Sequence, residues 1–327
     1  MNESNIKKML PIYILDILKE ESDSKHKLTQ AKICKLIYEI YGEHFERKSI
    51  STTIDLLVDH GYNIVKTNNG CYLNEREFET CEIQFLIDSV FSNKTIDSKH
   101  TKDLAKKISS FSNKYQRKNY DYIYKSDEIV KTNNKSIFYN IDVITYAIEN
   151  NKQIEFNYNR FSLNGKENKR RHIVNPYYLI SNQGKYYLVC NYFFMNKIAN
   201  CRVDKIKNIK IHEGYPRKPI TEIPEFKDGF DISKYVNERI YMFASGDIIN
   251  ATLKVNSEIA LDYIDEYFGS NAHYFKEENY YIVRLKVNEN DLLYWLMQYY
   301  EGIELVKPLS TREKIKTMIN EMAEKYK

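Results

Sequence analysis

The 327-residue chain has one tryptophan and five cysteines, at 34, 71, 81, 190 and 201, and no two of these thiols form a CxxC pair. Zinc-ribbon and thioredoxin-type chemistry, which need closely spaced thiols, lose their support. An odd number of cysteines and a polar stretch from Met1 to Leu10 point to free thiols in a reducing compartment. The expectation is a soluble, cytoplasmic protein. No run approaches the roughly 20 apolar residues of a membrane span, so no membrane partner is expected. The P-loop, G-x-S-x-G and H-E-x-x-H patterns are missing. His26 and His44 have no Cys or Asp at metal-ligand spacing, and the acidic pairs Asp262/Asp265 and Glu277/Glu278 read as solvent-facing. No catalytic residue, metal or cofactor is expected.

What is present is apolar content of 43% with 29% charged residues, enough for two or three cored domains. The 29 tyrosines read first as compositional bias. The net charge of +4 hides an asymmetry. Residues 1–76 carry 11 basic and 11 acidic side chains, and residues 94–125 carry 9 against 3. Residues 152–218 carry 14 against 4, an excess of ten, and residues 219–327 carry 13 against 19. The most basic segment is central, which suits an anionic ligand there as well as a solvated face.

Apolar spacing of three and four predicts helices over Ile6–Leu18, from Thr29 to Gly42, and over Arg47–Asp59. Short apolar runs on either side of Thr67-Asn68-Asn69-Gly70 then predict a hairpin. Three helices and a hairpin make a winged helix-turn-helix over 1–76, whose third helix would enter the DNA major groove. Its exposed side offers Arg47, Lys48, Ser49, Ser51, Thr52 and Thr53, with Lys66 and the wing residue Asn69 on the phosphate backbone. The zero net charge of this segment also leaves open a winged helix that binds protein.

Residues 77–135 read as a helical linker with stripes at Phe85, Leu86, Val90, Phe91 and at Leu104, Ile108, Phe111, ending in an Asn/Lys/Asp-rich loop over 119–135. From Ile137 a helix is followed by strand-like segments at 153–158, 171–180, 185–189 and 202–211, with turns at Asn164-Gly165 and Asn182-Gln183-Gly184. Four or five antiparallel strands with the helix over one face are expected for 136–215. Residues 216–327 open with a proline-containing connector and continue β-α-β-α-β-α, with Ser310 or Thr311 capping the last helix.

Pro176-Tyr177-Tyr178-Leu179-Ile180 followed by Lys185-Tyr186-Tyr187-Leu188 resembles the core of the WYL domain, with Tyr186 in place of the family's tryptophan. Cys201-Arg202-Val203-Asp204-Lys205-Ile206 resembles the family's Phe-Arg-Leu-Asp-Arg-Ile element, departing at Cys201 and Lys205. Tyr294-Trp295-Leu296, Glu301-Gly302, Val306, Pro308 and Thr311-Arg312-Glu313 resemble its C-terminal extension. The resemblance implies an α+β multidomain chain: an N-terminal winged helix-turn-helix, a central Sm-like β-rich WYL domain and a C-terminal α+β extension. It further implies bacterial transcription regulation, a homodimer, and an effector that in several members is a nucleotide or nucleic acid. DNA damage, phage defence and CRISPR control are the family's settings.

Read from the residues, cations beside rings suit a phosphate next to a base. Tyr158, Arg160, Arg170, Arg171, Tyr186, Arg202 and Lys205 are the candidate effector contacts, with Tyr186 and Arg202 foremost by motif position. His172 reads as structural. The expectation is a DNA-binding regulator of a double-stranded operator, gated by a nucleotide or single-stranded nucleic-acid effector. The competing class is an accessory protein that binds RNA or a protein partner, for example in a phage-defence or CRISPR system.

Overall fold

Apolar residues three and four apart make α1 (Glu3–Glu21) amphipathic, and Leu10, Ile14, Ile17 and Leu18 are buried as that spacing requires. α2 (Gln30–Tyr41) begins where the Thr29 hydroxyl oxygen accepts from the Lys32 N–H, and it stops at Gly42 in the left-handed region at φ +73°. α3 (Arg47–Asp59) buries Ile50, Ile54 and Leu57. A hairpin of β1 (Ile64–Thr67) and β2 (Gly70–Leu73) closes the same core with Ile64, Cys71 and Leu73. This computed structural model describes residues 3–120, 131–158 and 170–327, and the chain divides into two units, Met1–Asn133 and Asn134–Lys327.

The hairpin does not use the expected Asn-Gly turn. Asn68 and Asn69 form the turn, and Gly70 is the first residue of β2. Glycine is required at 70 for a different reason. Its φ is +124°, and a Cβ there would stand 2.5 Å from the Leu28 carbonyl oxygen. The Leu28–Cys71 bridge, with N–H to O distances of 2.8 and 2.9 Å, draws the loop before α2 against β2.

α4 (Thr80–Ser92), α5 (Ser98–Ser109) and the short α6 (Lys114–Arg117) follow in the first unit. The expected stripes are met in part: Phe91 and Ile108 face the shared core, and the other expected residues do not belong to it. α4 buries Ile83, Ile87 and Phe91 and leaves Phe85 exposed, while α5 buries Thr101, Ala105 and Ser109, and Phe111 lies exposed beyond its end. Ala105 joins Ile83, Ile87 and Phe91 in the seam, a small residue that an apolar stripe does not mark. The loop expected over 119–135 falls largely outside the described residues.

In the second unit, α7 (Ile137–Glu149) covers one face of a five-stranded antiparallel sheet. Its strands are β3 (Lys152–Tyr158), β4 (Arg171–Asn182), β5 (Lys185–Tyr192), β6 (Ile198–Arg202) and β7 (Ile206–Pro216), in the order β6-β5-β4-β3-β7. The β4–β5 turn has positive φ at both Gln183 (+48°) and Gly184 (+67°), the geometry that matches strand twist. The single strand expected over 202–211 is two strands, parted by a 3-10 turn at Val203–Lys205. The turn expected at Asn164-Gly165 lies outside the described residues. The opposite sheet face, with Tyr177, Tyr187, Val189 and Ile198, is sealed by Ile223, Tyr235 and Met242 of the connector, where α8 (Ile232–Asn237) lies.

The C-terminal part is a four-stranded antiparallel sheet, β11-β8-β10-β9, with helices packed on it. Its elements are β8 (Ile248–Val255), α9 (Glu258–Phe268), β9 (Ala272–Lys276), β10 (Tyr281–Asn288), α10 (Glu289–Gln298), β11 (Ile303–Lys307) and α11 (Leu309–Glu324). β9 is one strand more than expected. Pro308 takes the cap position of α11, and Thr311 instead donates its hydroxyl to Glu289 Oε1 at 2.7 Å inside the core. Among the described residues, no helix is long and apolar enough to cross a membrane.

Candidate functional site

Helix periodicity sets the outer face of α3. Arg47, Lys48, Ser49 and Thr52 are exposed, and Ser51 and Thr53 are half-buried. Thr52 donates its hydroxyl to the Lys48 carbonyl at 3.0 Å and Thr53 donates to that of Ser49 at 2.8 Å. Both hydroxyls therefore keep only acceptor capacity for a partner. Asn69 sits exposed in the hairpin turn. Lys66 reaches back from β1 to the Asp55 carboxylate of α3, which pins the hairpin to the helix and compensates that charge.

Strand alternation divides the expected effector residues. Tyr186 faces the α7 side and packs on the core there, whereas its neighbour Tyr187 belongs to the opposite face. Arg202 stands opposite Tyr187 across the β5–β6 pair, so Tyr186 and Arg202 do not share a face. The Arg202 guanidinium makes two bonds to Asp204, Nε to Oδ1 at 3.0 Å and Nη2 to Oδ2 at 2.7 Å. That hydrogen bonding raises its pKa further above an ordinary arginine's. Lys205 lies half-buried in the turn after it. Arg160 lies outside the described residues.

Tyr158, Arg170 and Arg171 do come together, lining a cleft of about 690 Å³. Its other walls are side chains that the sequence reading passed over: His172, taken as structural, Tyr192, Phe193, Phe194, His212 and Tyr215. Phe193 and Phe194 are 61% and 74% exposed on the turn between β5 and β6. A chain of buried amides holds that turn. Gln153 Nε2 donates to Asn175 Oδ1 at 2.9 Å, and Asn175 Nδ2 donates to Asn191 Oδ1 at 3.2 Å. Asn191 Nδ2 then donates to the carbonyls of Met195 at 2.7 Å and Lys197 at 2.9 Å. Asn175 Oδ1 also accepts from the Lys218 N–H at 2.9 Å.

Behind the cleft lies Glu155, another residue without a sequence signal. Burial pushes its carboxyl up, but hydrogen bonds from Lys210, Arg171 and His212 outweigh burial and hold it at about 2. The Lys210 Nζ and His212 Nδ1 distances are 2.9 and 3.0 Å. The one available sequence clue to this cleft was Tyr192-Phe193-Phe194-Met195, an apolar run where a polar strand connection is the norm. All five cysteines are free, including Cys190 and Cys201, whose sulfurs lie 3.9 Å apart across β5 and β6. Among the described residues, no group of three or more His, Cys, Asp or Glu could hold a metal ion.

Residues 139–211, from α7 into β7, match the family model of the WYL domain. The matched segment is the β-rich part of the chain, and it lies in sequence between an N-terminal helical region and a C-terminal α+β region. Among solved structures, it is similar to proteasome accessory factor B/C (PafBC) of Arthrobacter aurescens, at 13% identity and a TM-score of 0.30, over 96% of this chain and 48% of that one. It is also similar to a protein described as CRISPR Cas-related, at 13% identity and a TM-score of 0.39, over 98% of this chain and 91% of that one. The chain thus spans about half the length of the first of these. No curated protein matches it.

Proposed function

We propose that the chain is a cytoplasmic, homodimeric transcriptional regulator that reads a double-stranded operator through a winged helix-turn-helix and is modulated by an effector at an Sm-like WYL domain. The observation that carries the DNA-binding part is the order of elements. Two helices precede α3, a hairpin follows it, and α3 presents Arg47, Lys48, Ser49 and Thr52 on its outer face. Arg47 and Lys48 supply phosphate contacts, and Thr52 offers a hydroxyl acceptor at base-edge level. Lys66 acts by seating the hairpin through Asp55, and Asn69 reaches the backbone from the turn. The effector contacts are assigned to the cleft, with Tyr158, Arg170 and Arg171 taking a nucleotide or the end of a single strand. Tyr186, Arg202 and Lys205 hold the sheet that frames it. Ligand binding regulates only if it favours one of two dimer arrangements with different DNA affinity.

A second reading, an accessory protein that binds RNA or a protein partner, is favoured by two observations. Residues 1–76 have no net charge, and Lys66 is compensated by Asp55. Recovery of genomic DNA bound to the full chain, scored for a palindromic motif, separates the two. Under the regulator reading, Lys48→Ala weakens binding to all duplexes alike and flattens the salt dependence, while Thr52→Ala shifts sequence preference. Equal affinity for duplex RNA and DNA, with neither substitution altering DNA binding, would replace it by the accessory reading.

A further inference from the structure

One carboxylate behind the cleft meets more positive charge than it can neutralise. Glu155 is 5% exposed, whereas the side chains of Arg171 and Lys210 that bond it are 62% and 69% exposed. His212 makes a third bond to the same carboxylate. Two full cations on one anion leave positive charge over, on the side that faces water. Arg171 and His212 also line the cleft. A guanidinium has five N–H donors in a fixed fork, so bonding to Glu155 orients Arg171 without exhausting it.

The rings lining the cleft form two rows. Tyr158, His172, Tyr192 and Phe194 follow one another at centroid separations of 6.1, 5.5 and 6.0 Å. His212, Tyr215 and Phe193 follow at 6.5 and 6.2 Å. The rows end on adjacent residues of the turn that Asn191 holds, the first on the α7 side of the sheet with Tyr158 and Tyr192, the second on the other side with Arg171 and Glu155. Rings that bases can stack on, beside a preset cation, are the two parts that recognise an unpaired nucleotide.

We propose that Glu155 is the positioning residue of this cleft: it seats Arg171 and His212 to meet a phosphate of a single-stranded oligonucleotide whose base lies against the rings on their side of the sheet, Tyr215 and Phe193. The proposal rests on the effector reading above and deepens it. It makes an expectation that charge alone does not. By charge alone, Glu155 opposes an anion, and replacing it with a neutral residue tightens binding. As a positioning residue, its loss frees Arg171 and His212 from their preset places and weakens binding, although the cleft becomes more positive.

The test uses the full chain and a fluorescein-labelled single-stranded oligothymidylate, with anisotropy read over a range of salt. Glu155→Gln should bind about tenfold more weakly, the order that supporting partners contribute at other preorganised sites, with a salt slope no steeper than wild type. Glu155→Asp, which keeps a carboxylate for the two cations, should recover part of the loss. Phe193→Ala with Phe194→Ala removes exposed rings and no charge, and should weaken binding without changing the salt slope. If wild type binds and Glu155→Gln binds equally or more tightly, the positioning role is overturned and the effector reading survives. If Glu155→Gln does not fold, by far-ultraviolet circular dichroism, Glu155→Asp and the phenylalanine double variant decide: unchanged affinity in both overturns the proposal. If wild type binds no single strand, the effector reading fails and the proposal with it.

Discussion

Asp291 offers a titration inside the C-terminal core that the sole tryptophan can report. It is fully buried in the first turn of α10, where Oδ2 accepts the Tyr241 N–H at 2.9 Å. Burial lifts its carboxyl from 3.8 to about 6, against the opposing pull of the Tyr241 and Phe243 N–H groups and of Arg239. The folded chain therefore binds this proton more tightly than the unfolded chain does. Stabilisation by protonation is fully present below about pH 3.8 and is lost as pH rises through about 6. Across that window it amounts to about 3 kcal/mol. Asp291→Asn removes the titration, although one of its amide positions must face an N–H. Trp295 lies one turn further along α10 and is fully buried, so its fluorescence follows this core alone. Urea unfolding of both chains should show wild type losing about 2.5 kcal/mol more than the variant between about pH 4 and 7.5. Parallel pH profiles for the two would refute the reasoning.

Gly70→Ala meets both a positive φ and the Leu28 carbonyl oxygen, and should destabilise the first unit by about 1–3 kcal/mol. Helix melting by circular dichroism should shift while the Trp295 signal stays in place, and an unchanged melt would mean that the loop before α2 yields freely. Arg171→Ala should weaken oligonucleotide binding more than Arg202→Ala, because Arg171 lines the cleft and Arg202 is bound to Asp204. The reverse order in anisotropy titrations would return the effector to the motif arginine. The full chain should sediment as a dimer at concentrations that saturate operator DNA, and a monomer there would remove the two-fold reading.

Legibility in the sequence followed the kind of force involved. α2 and α3 were readable to within a residue or two, because Thr29, Gly42 and the spacing of Ile50, Ile54 and Leu57 act locally. The α4 and α5 faces were read only in part: Phe91 and Ile108 pack inward, but Ala105 and Ser109 are buried while small, and an apolar count ignores them. Tyr186 and Arg202 were joined by motif order, but the sheet separates them, since facing depends on register with a partner strand. Glu155 was invisible for a related reason. Its three partners come from β4 and β7, and only the pairing of β3 between those strands brings them to one carboxylate.

The buried amides behind the Phe193–Phe194 turn restrict how this sequence can drift. Hydrogen bonds run one way along them, from Gln153 through Asn175 to Asn191 and out to the turn carbonyls. Asn175 must accept on its oxygen, from Gln153 and from the Lys218 N–H, and donate from its nitrogen. A carboxylate at 175 cannot donate, and an apolar residue can do neither. A change at any one of the three amides strands a buried polar group on its neighbour, so tolerated replacements at 153, 175 and 191 should arise together or not at all.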